Sequence, residues 1–186
     1  MSKKIAVAIG GCTQSGKTTF AKELEEKLAG LRIKIFHMDY YFKPDEERPR
    51  SEAPYTKKIY MDSNKPESFF MPRLRKELID AVIGNNYDVV IVEGTMVLHD
   101  KKILAAIDLK IFVDTRPDER AVRYIEKYSE WYGREFVRDS YIDLVRFRMD
   151  EYVEPTKWKA DMIINGSVKS GHAAGMAAAY IKDCLR

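Results

Sequence analysis

The sequence predicts a three-layer α/β fold, in which a parallel sheet of about five strands carries helices on both faces and a small helical lid. Two observations support this prediction. Short apolar runs without the polar alternation of a half-exposed strand recur along the chain, which is typical of strands buried on both faces. These runs alternate with segments in which apolar residues recur at helical spacing. Strands that alternate with helices form parallel sheets, because each helix returns the chain to the same edge.

The first two predicted strands flank an amphipathic helix. Residues 4–9 and residues 33–38 are short apolar runs. Between them, residues 17–29 carry apolar side chains at helical spacing, and Gly30 readily adopts the left-handed conformation of a helix end. The start of the chain is therefore predicted to be a strand–helix–strand unit.

A polar stretch that contains prolines occupies residues 40–66. Loops longer than about 15 residues are uncommon in compact domains and are usually functional. We therefore predict an acceptor-site loop or a small excursion of the fold over these residues, and we place substrate binding there.

The next elements continue the alternation of helices and strands. Residues 74–84 read as a helix, and residues 87–92 and 109–113 read as buried strands. Pro117 then marks the start of a basic helix that extends to about residue 133, because proline loses no hydrogen bond at the first helical position.

The last elements complete a lid and close the chain. A helix over residues 139–152 belongs to a basic helical region of about residues 117–150, which we predict to be the lid. A short strand over residues 162–164 and an alanine-rich helix over residues 172–185 follow. The sequence shows no internal repeat and no interdomain linker.

Length and composition indicate a single domain over residues 1–186. Of these 186 residues, 45% are apolar, which is enough for one sizeable core. The 32 basic and 29 acidic residues leave a formal net charge of only +3, a balance that does not suggest a nucleic-acid-binding protein. We expect any functional basic cluster to be local and suited to a compact polyanion, and we expect small-molecule partners instead of nucleic acid.

The N-terminus and the cysteines predict a cellular location. Met1-Ser2-Lys3-Lys4 precedes only five strand-like residues, too few for a signal peptide or a membrane span. We therefore expect a cytoplasmic protein that does not bind membranes. Cys12 and Cys184 lie at opposite ends of the chain, and the three histidines have no ligand-like spacing, so we expect neither a disulfide framework nor a zinc site.

A glycine-rich motif lies between the first strand and the first helix. It matches G-x-x-x-x-G-K-[ST], the P-loop motif, and its context of strand and helix agrees with that interpretation. Glycines allow backbone N–H groups to converge on phosphate oxygens, and the helix N-terminus adds positive potential. The motif therefore predicts a P-loop NTPase fold that binds ATP, and the predicted nucleotide-binding residues here are Gly11, Cys12, Thr13, Gln14, Ser15, Gly16, Lys17, Thr18 and Thr19.

Three side chains of the motif have predicted roles. Lys17 can reach the β- and γ-phosphates and is a predicted catalytic residue. The hydroxyl of Thr18 is placed to bind Mg²⁺. Cys12 is interpreted as a small residue that fills the loop and not as a reactive thiol.

Two acidic residues follow predicted strands, at the edge where a parallel sheet binds its ligands. Glu93 ends the apolar run 87–92 and is followed by Gly94, so we predict that it delivers a carboxylate towards the metal. Asp39 follows the second strand, and we predict that it accepts the proton of an attacking hydroxyl or orients that hydroxyl. A turn acid and a helix cap are the alternative interpretations of these two residues.

Seven basic residues lie in the predicted lid. One or two of them could close over a triphosphate, since phosphoryl transfer requires neutralised charge and exclusion of water, and the others are ordinary solvated charges. The spacing leaves open which ones contact phosphate; the residues are Arg120, Arg123, Lys127, Arg134, Arg138, Arg146 and Arg148.

Several of these segments together resemble one family of kinases, which contains uridine kinases, phosphoribulokinases and nicotinamide riboside kinases. The resemblance covers most of the chain and rests on Ile9–Thr19, His37–Pro44, Val92–Gly94, Asp108–Asp114, Gly133-Arg134, and Tyr152–Pro155 leading to Ala160-Asp161. It implies that Asp39 is the catalytic aspartate, that Glu93 is a metal-associated glutamate, and that Arg123 and Arg134 are basic lid positions.

The lid departs from the family pattern. Tyr124, Tyr128 and Tyr132 stand where that pattern has charged residues, so the lid is weaker in charge. The acidic residue usual after the Pro-x-Ser-like segment is also absent, because Pro66-Glu67-Ser68 leads into Phe69-Phe70. These departures bear on the identity of the acceptor.

The sequence thus predicts an ATP- and Mg²⁺-dependent phosphotransferase that phosphorylates a hydroxyl of a small metabolite, with a nucleoside of the uridine, cytidine or nicotinamide riboside type favoured. A nucleotide-binding regulator or a hydrolase without kinase activity is the alternative. Asn64-Lys65-Pro66-Glu67 superficially resembles the guanine-reading N-K-x-D of nucleotide-hydrolysing switches, but its last residue and its position differ. The sequence leaves open the acceptor, the preference for ATP or GTP, feedback regulation and the oligomeric state, a homo-oligomer included.

Overall fold

A parallel sheet forms the middle layer of the structure. The structure is a computed structural model that describes residues 3–168 and 170–186. Within those residues, the sheet has five strands, and two further strands form a separate antiparallel hairpin. Met1 and Ser2 of the predicted N-terminal segment lie outside the described residues, as does Lys169. The strands are β1 (Ile5–Gly10), β2 (Ile33–His37), β3 (Arg50–Glu52), β4 (Ile59–Met61), β5 (Val89–Glu93), β6 (Leu109–Asp114) and β7 (Met162–Asn165). Their order in the sheet is β2-β5-β1-β6-β7, and β3 pairs with β4 in the hairpin.

Helices cover both faces of this sheet, because its central strands bury alternate residues on opposite sides. Ile5, Val7 and Ile9 of β1 share one hydrophobic cluster with the first and the last helix of the chain, whereas Ala6 and Ala8 face a second cluster that includes the helices before and after β5. The predicted three-layer α/β fold is confirmed. The four helices of the two faces are α1 (Lys17–Lys27), α2 (Met71–Ile83), α3 (Lys101–Leu104) and α7 (Gly171–Cys184).

The predicted lid region consists of helices that stand over the carboxyl edge of the sheet. It begins with α4 (Pro117–Tyr132), and Gly133 separates that helix from α5 (Arg134–Ser140). Two π-helical turns, Tyr141–Val145 and Met149–Val153, flank the short α6 (Arg146–Arg148). The helix predicted over residues 139–152 therefore begins earlier than expected, and it contains two turns that helical spacing did not reveal.

The polar stretch over residues 40–66 forms a small excursion with its own secondary structure. Strands β3 and β4 pair in antiparallel register within it, with Ser51 opposite Tyr60. Ala53 and Tyr60 share a separate buried cluster with Leu144 of the lid region, so the hairpin packs on the lid. Within the described chain, none of the helices is both long enough and apolar enough to cross a membrane.

We predict that Phe20→Ala lowers the free energy of unfolding by about 3–5 kcal/mol, because it leaves a cavity between α1 and the sheet. Phe20 is fully buried in the cluster that joins these elements. Thermal and urea unfolding followed by circular dichroism measure this loss. Ile83→Ala is the control: Ile83 is 73% exposed, so the change should stay within about 0.5 kcal/mol. Equal losses in both variants would contradict the assignment of the core.

Candidate active site

The phosphate loop adopts a backbone conformation that requires its glycines. Gly11 and Gly16 have φ angles of 144° and 96°, and Gln14 between them has a φ of 59°. A Cβ atom on Gly11 would lie 2.4 Å from the Val113 carbonyl oxygen. The loop therefore brings its backbone close to β6 and leaves space for phosphate where side chains would otherwise lie.

The Lys17 side chain is buried at the base of this loop. Its Nζ donates to the Cys12 carbonyl oxygen at 2.8 Å. Burial lowers the pKa of Lys17, whereas the negative charges of Glu93 and Asp39 oppose that effect. Two carboxylates thus lie close enough to the ammonium group to influence its ionisation, as the sequence predicted for a shared edge of the sheet.

Two neighbouring side chains bind the carboxylate of Glu93. The Thr18 hydroxyl donates to Glu93 Oε1 at 3.0 Å, and His37 Nδ1 lies 2.8 Å from the same oxygen. An ionised carboxylate only accepts hydrogen bonds, so Nδ1 of His37 is the donor. Glu93 is only 5% exposed, and its second oxygen has no direct hydrogen bond within the described residues. The hydroxyl oxygen of Thr18 and the carboxylate of Glu93 are suitable ligands for a Mg²⁺ ion that also binds phosphate oxygens.

His37 was not singled out by sequence reasoning. It ends β2, and the register of the parallel ladder places its Cα beside that of Glu93 on β5. The pairing of β2 with β5 is a property of strand order, which no local pattern shows. Only the position of His37 at a strand end could have indicated a role.

Asp39 lies in the 3₁₀ turn Met38–Tyr41 directly after β2. Its carboxylate lines the cleft and is accessible to solvent. Partial desolvation by the surrounding residues nevertheless raises its pKa. The charges of Lys17 and Lys127 oppose this rise. Its carboxylate has no hydrogen-bond partner in residues 3–168 and 170–186, so it is free to accept a proton or a hydrogen bond from a ligand.

Gly94 allows the segments that carry Asp39 and Glu93 to lie close together. A Cβ on Gly94 would lie 2.3 Å from Met38 Cβ, so only glycine allows the turn that carries Asp39 to approach the end of β5. The close approach of the backbone predicted at Gly94 is therefore present.

A cleft of about 780 Å³ joins the phosphate loop to the lid and the hairpin. Lys17, Thr18 and Glu93 line its phosphate end, and Asp39 lies near them, since the charges of Lys17 and Glu93 influence its pKa. The far end is mainly aromatic and aliphatic, and its side chains come from the hairpin segment and the lid. These residues are Phe42, Tyr60, Met61, Tyr124, Tyr128, Tyr132, Phe136, Val137, Leu144 and Val145.

The two predicted basic lid residues occupy different positions. Arg123 lines the cleft, and its Nη1 donates to the carbonyl oxygens of Gln14 at 3.3 Å and Gly166 at 3.2 Å. Arg134 is exposed at the start of α5 and is not among the described residues that line the cleft. Lys127, which spacing alone did not distinguish from the other lid cations, does line it.

Cys12 has a structural position in the loop. It is buried, and its thiol donates to Glu154 Oε1 at 3.2 Å. Burial raises the pKa of this thiol, which keeps it protonated and unreactive at neutral pH. Ser15 is likewise fully buried, whereas Thr13, Gln14 and Thr19 line the cleft.

A parallel sheet of this strand order, a phosphate loop between β1 and α1, and two carboxylates on adjacent strand ends define the class of P-loop kinases. Comparison with known proteins agrees. The family model "Phosphoribulokinase / Uridine kinase family" matches residues 40–170, and the chain belongs to that family. The matched range covers the excursion and the lid.

Named relatives extend the similarity over the whole chain. The chain is 32% identical to a uridine kinase of Clostridium botulinum (strain Okra / Type B1), with all of both chains covered. It is 29% identical to a uridine kinase of Geobacillus kaustophilus (strain HTA426), with 98% of this chain and 96% of the relative covered. The solved shikimate kinase of Bacteroides thetaiotaomicron shares the fold, with a TM-score of 0.58, 16% identity, and coverage of 97% of this chain and 98% of that one.

We predict that Gly94→Ala lowers the free energy of unfolding by about 1–3 kcal/mol, since the added methyl group overlaps Met38 and must displace the turn that carries Asp39. Differential scanning calorimetry measures the loss. Gly175→Ala is the matched control, because a Cβ there would meet nothing within 4 Å and alanine favours the helix. A Gly94→Ala variant as stable as the wild type would show that the contact is not tight.

Proposed function

We propose that this chain transfers the γ-phosphoryl group of ATP to a hydroxyl group of a nucleoside. One observation carries the proposal: Asp39, with a carboxylate free to bind a ligand, lines the same cleft as the phosphate-binding loop and a group of aromatic side chains. A phosphoryl donor at one end and a ring-bearing acceptor at the other would place the acceptor hydroxyl beside Asp39. The names of the relatives, uridine kinases of two bacteria, support a nucleoside as the acceptor.

The residues at the phosphate end fit ATP and Mg²⁺. The backbone of the loop provides the N–H groups, and buried Lys17 provides a positive charge. Its ammonium group donates to a carbonyl oxygen and forms no salt bridge with the residues that the structure describes. Thr18 and Glu93 would hold Mg²⁺, and when bound the ion neutralises charge on the phosphates. His37 orients Glu93 through its hydrogen bond.

Asp39 is proposed to act as the base. It would accept the proton of the acceptor hydroxyl as the oxygen attacks the γ-phosphorus atom. Its raised pKa makes it a better proton acceptor than an ordinary aspartate.

Two lid cations would complete the phosphate end. Arg123 and Lys127 are both on α4 and both line the cleft. Charge on the transferred group could be neutralised by these two residues, because the remaining lid positions that face the cleft on this helix are Tyr124, Tyr128 and Tyr132. The tyrosines would instead pack against the planar part of an acceptor.

An ADP-release assay tests this proposal. Purified protein with ATP is given uridine, cytidine, nicotinamide riboside, pantothenate or ribulose 5-phosphate, each with Mg²⁺ and with EDTA. We expect Mg²⁺-dependent ADP release with at least one nucleoside and little release without acceptor. Equal ADP release without acceptor would indicate a hydrolase, and tight Mg-ATP binding without any turnover would indicate a regulator.

We expect Asp39→Asn to reduce phosphoryl transfer by about 10²–10⁴-fold, because the amide cannot accept the hydroxyl proton. The dissociation constant of Mg-ATP, measured by calorimetry, should change by less than about threefold, since the loop and Lys17 remain intact. The control is Asp80→Asn, an exposed aspartate on α2 that pairs with Lys76. Unchanged turnover in Asp39→Asn would remove this residue from the mechanism.

The two basic lid positions should differ in their effect on nucleotide binding. Arg123→Met is expected to raise the KM for ATP about tenfold, because it removes a cation that contacts the phosphate loop. Arg134→Met, a matched change at the exposed position, should alter that KM by less than about twofold. Equal effects would mean that α5 moves over the cleft when nucleotide binds.

A further inference from the structure

A buried ion pair lies behind the wall of the acceptor end. Asp62 follows β4 and is fully buried, and its Oδ2 accepts from Arg148 Nε at 2.7 Å. Its other oxygen accepts from the Asn64 backbone N–H at 3.0 Å. Arg148 belongs to α6, between the two π-helical turns, and it also pairs with Glu151 at 2.5 Å. The pair therefore connects the hairpin segment to α6 of the lid region.

A second set of contacts joins the same two segments. Asp143, in the first π-helical turn, accepts from the Tyr60 hydroxyl at 2.8 Å and from the Thr56 hydroxyl at 2.9 Å. Leu144, the next residue, packs in the small buried cluster with Ala53 and Tyr60. A π-helical turn shifts the direction of successive side chains relative to an α-helix, and such turns occur often at functional sites. Here the turn presents a carboxylate and a leucine to the hairpin together.

The residues beside the ion pair face the cleft. Met61, Ser63 and Asn64 flank Asp62 and line the acceptor end, while Asp62 points away from the cleft towards Arg148. On the lid side, Val145 also lines it. The position of these walls relative to Asp39 therefore depends on how the hairpin segment is held against the lid.

Stability alone is a weak explanation for this pair. Burial of two charges has a large desolvation cost, and an apolar pair of similar volume is often as stable or more stable. An ion pair with a fixed geometry, in contrast, holds two segments in one register. The geometry of this pair suits a positioning role.

We propose that Asp62 and Arg148 are positioning residues for the acceptor: they hold the hairpin segment on the lid helix and so set the distance between the acceptor wall and Asp39. This inference rests on the proposed function, since it concerns the same cleft. It predicts that loss of the pair impairs the use of the acceptor and spares the use of ATP, because neither residue has a hydrogen bond to the phosphate loop among the described residues.

The test uses the double variant Asp62→Asn/Arg148→Met, which removes both charges and leaves neither buried alone. Arg75→Met/Asp100→Asn is the matched control, because it removes a second Arg–Asp pair, between α2 and the start of α3. The acceptor is uridine or, if uridine is inert, whichever compound of the ADP-release panel the wild type phosphorylates. Steady-state kinetics give the KM for acceptor and for ATP, and hydrogen–deuterium exchange gives the protection of the hairpin amides.

We expect the acceptor KM of the double variant to rise about ten- to hundredfold, with the ATP KM within about twofold of the wild type. Exchange should become faster in the hairpin and not in β1. Arg148→Lys, which retains the charge without the fork of donors, should be intermediate. The control pair should leave both KM values and the hairpin exchange unchanged.

Three results would overturn the inference. They are equal increases in both KM values, hairpin exchange that matches the wild type, and an effect of the control pair as large as that of the double variant. Failure of the proposed function is recognised separately, because the wild type would then phosphorylate no compound of the panel. In that case the exchange measurement alone decides whether the pair holds the hairpin.

Discussion

Three parallel strands end at the same level, and the rest of the site depends on that alignment. Ile9, Glu93 and His37 are side by side across β1, β5 and β2. The phosphate loop leaves β1 there, the carboxylate of Glu93 ends β5 there, and the turn that carries Asp39 follows β2 there. A slip of one residue in either ladder would turn Glu93 to the opposite face and separate it from Thr18 and His37.

The cleft has two ends that are built in different ways. Backbone geometry forms the phosphate end, where Gly11 and Gly94 allow approaches that any side chain would block. Side chains from the excursion and the predicted lid line the other part of the cleft. Folds of one type can carry different sites, and here the side chains of the lid and the hairpin are separate from the backbone that shapes the phosphate end.

Short-range patterns made much of this site predictable from the sequence. The motif that contains Lys17 and Thr18 is local, and Glu93 and Asp39 each follow an apolar run whose end must lie at the ligand-binding edge. The three-residue strands of the hairpin are too short to show a period, so residues 40–66 could be predicted only as a loop or excursion.

Other features depend on arrangements that no local pattern shows. The contact between His37 and Glu93 requires β2 to pair with β5, which is a matter of strand order. Arg134 was grouped with Arg123 as a basic lid position, but Gly133 has a φ of 80° and starts a new helix direction between them. Helical spacing predicts which residues share a face of one helix, and it does not predict the direction taken after such a break.

The placement of Cys12 has a practical consequence for work with this protein. Its thiol lies inside the nucleotide-binding loop, yet burial and the hydrogen bond to Glu154 keep it from alkylating reagents. Cys184, near the end of α7, is partly exposed. A maleimide dye should therefore attach at one end of the molecule without modifying the catalytic cleft, so that a native cysteine can carry a fluorescent reporter.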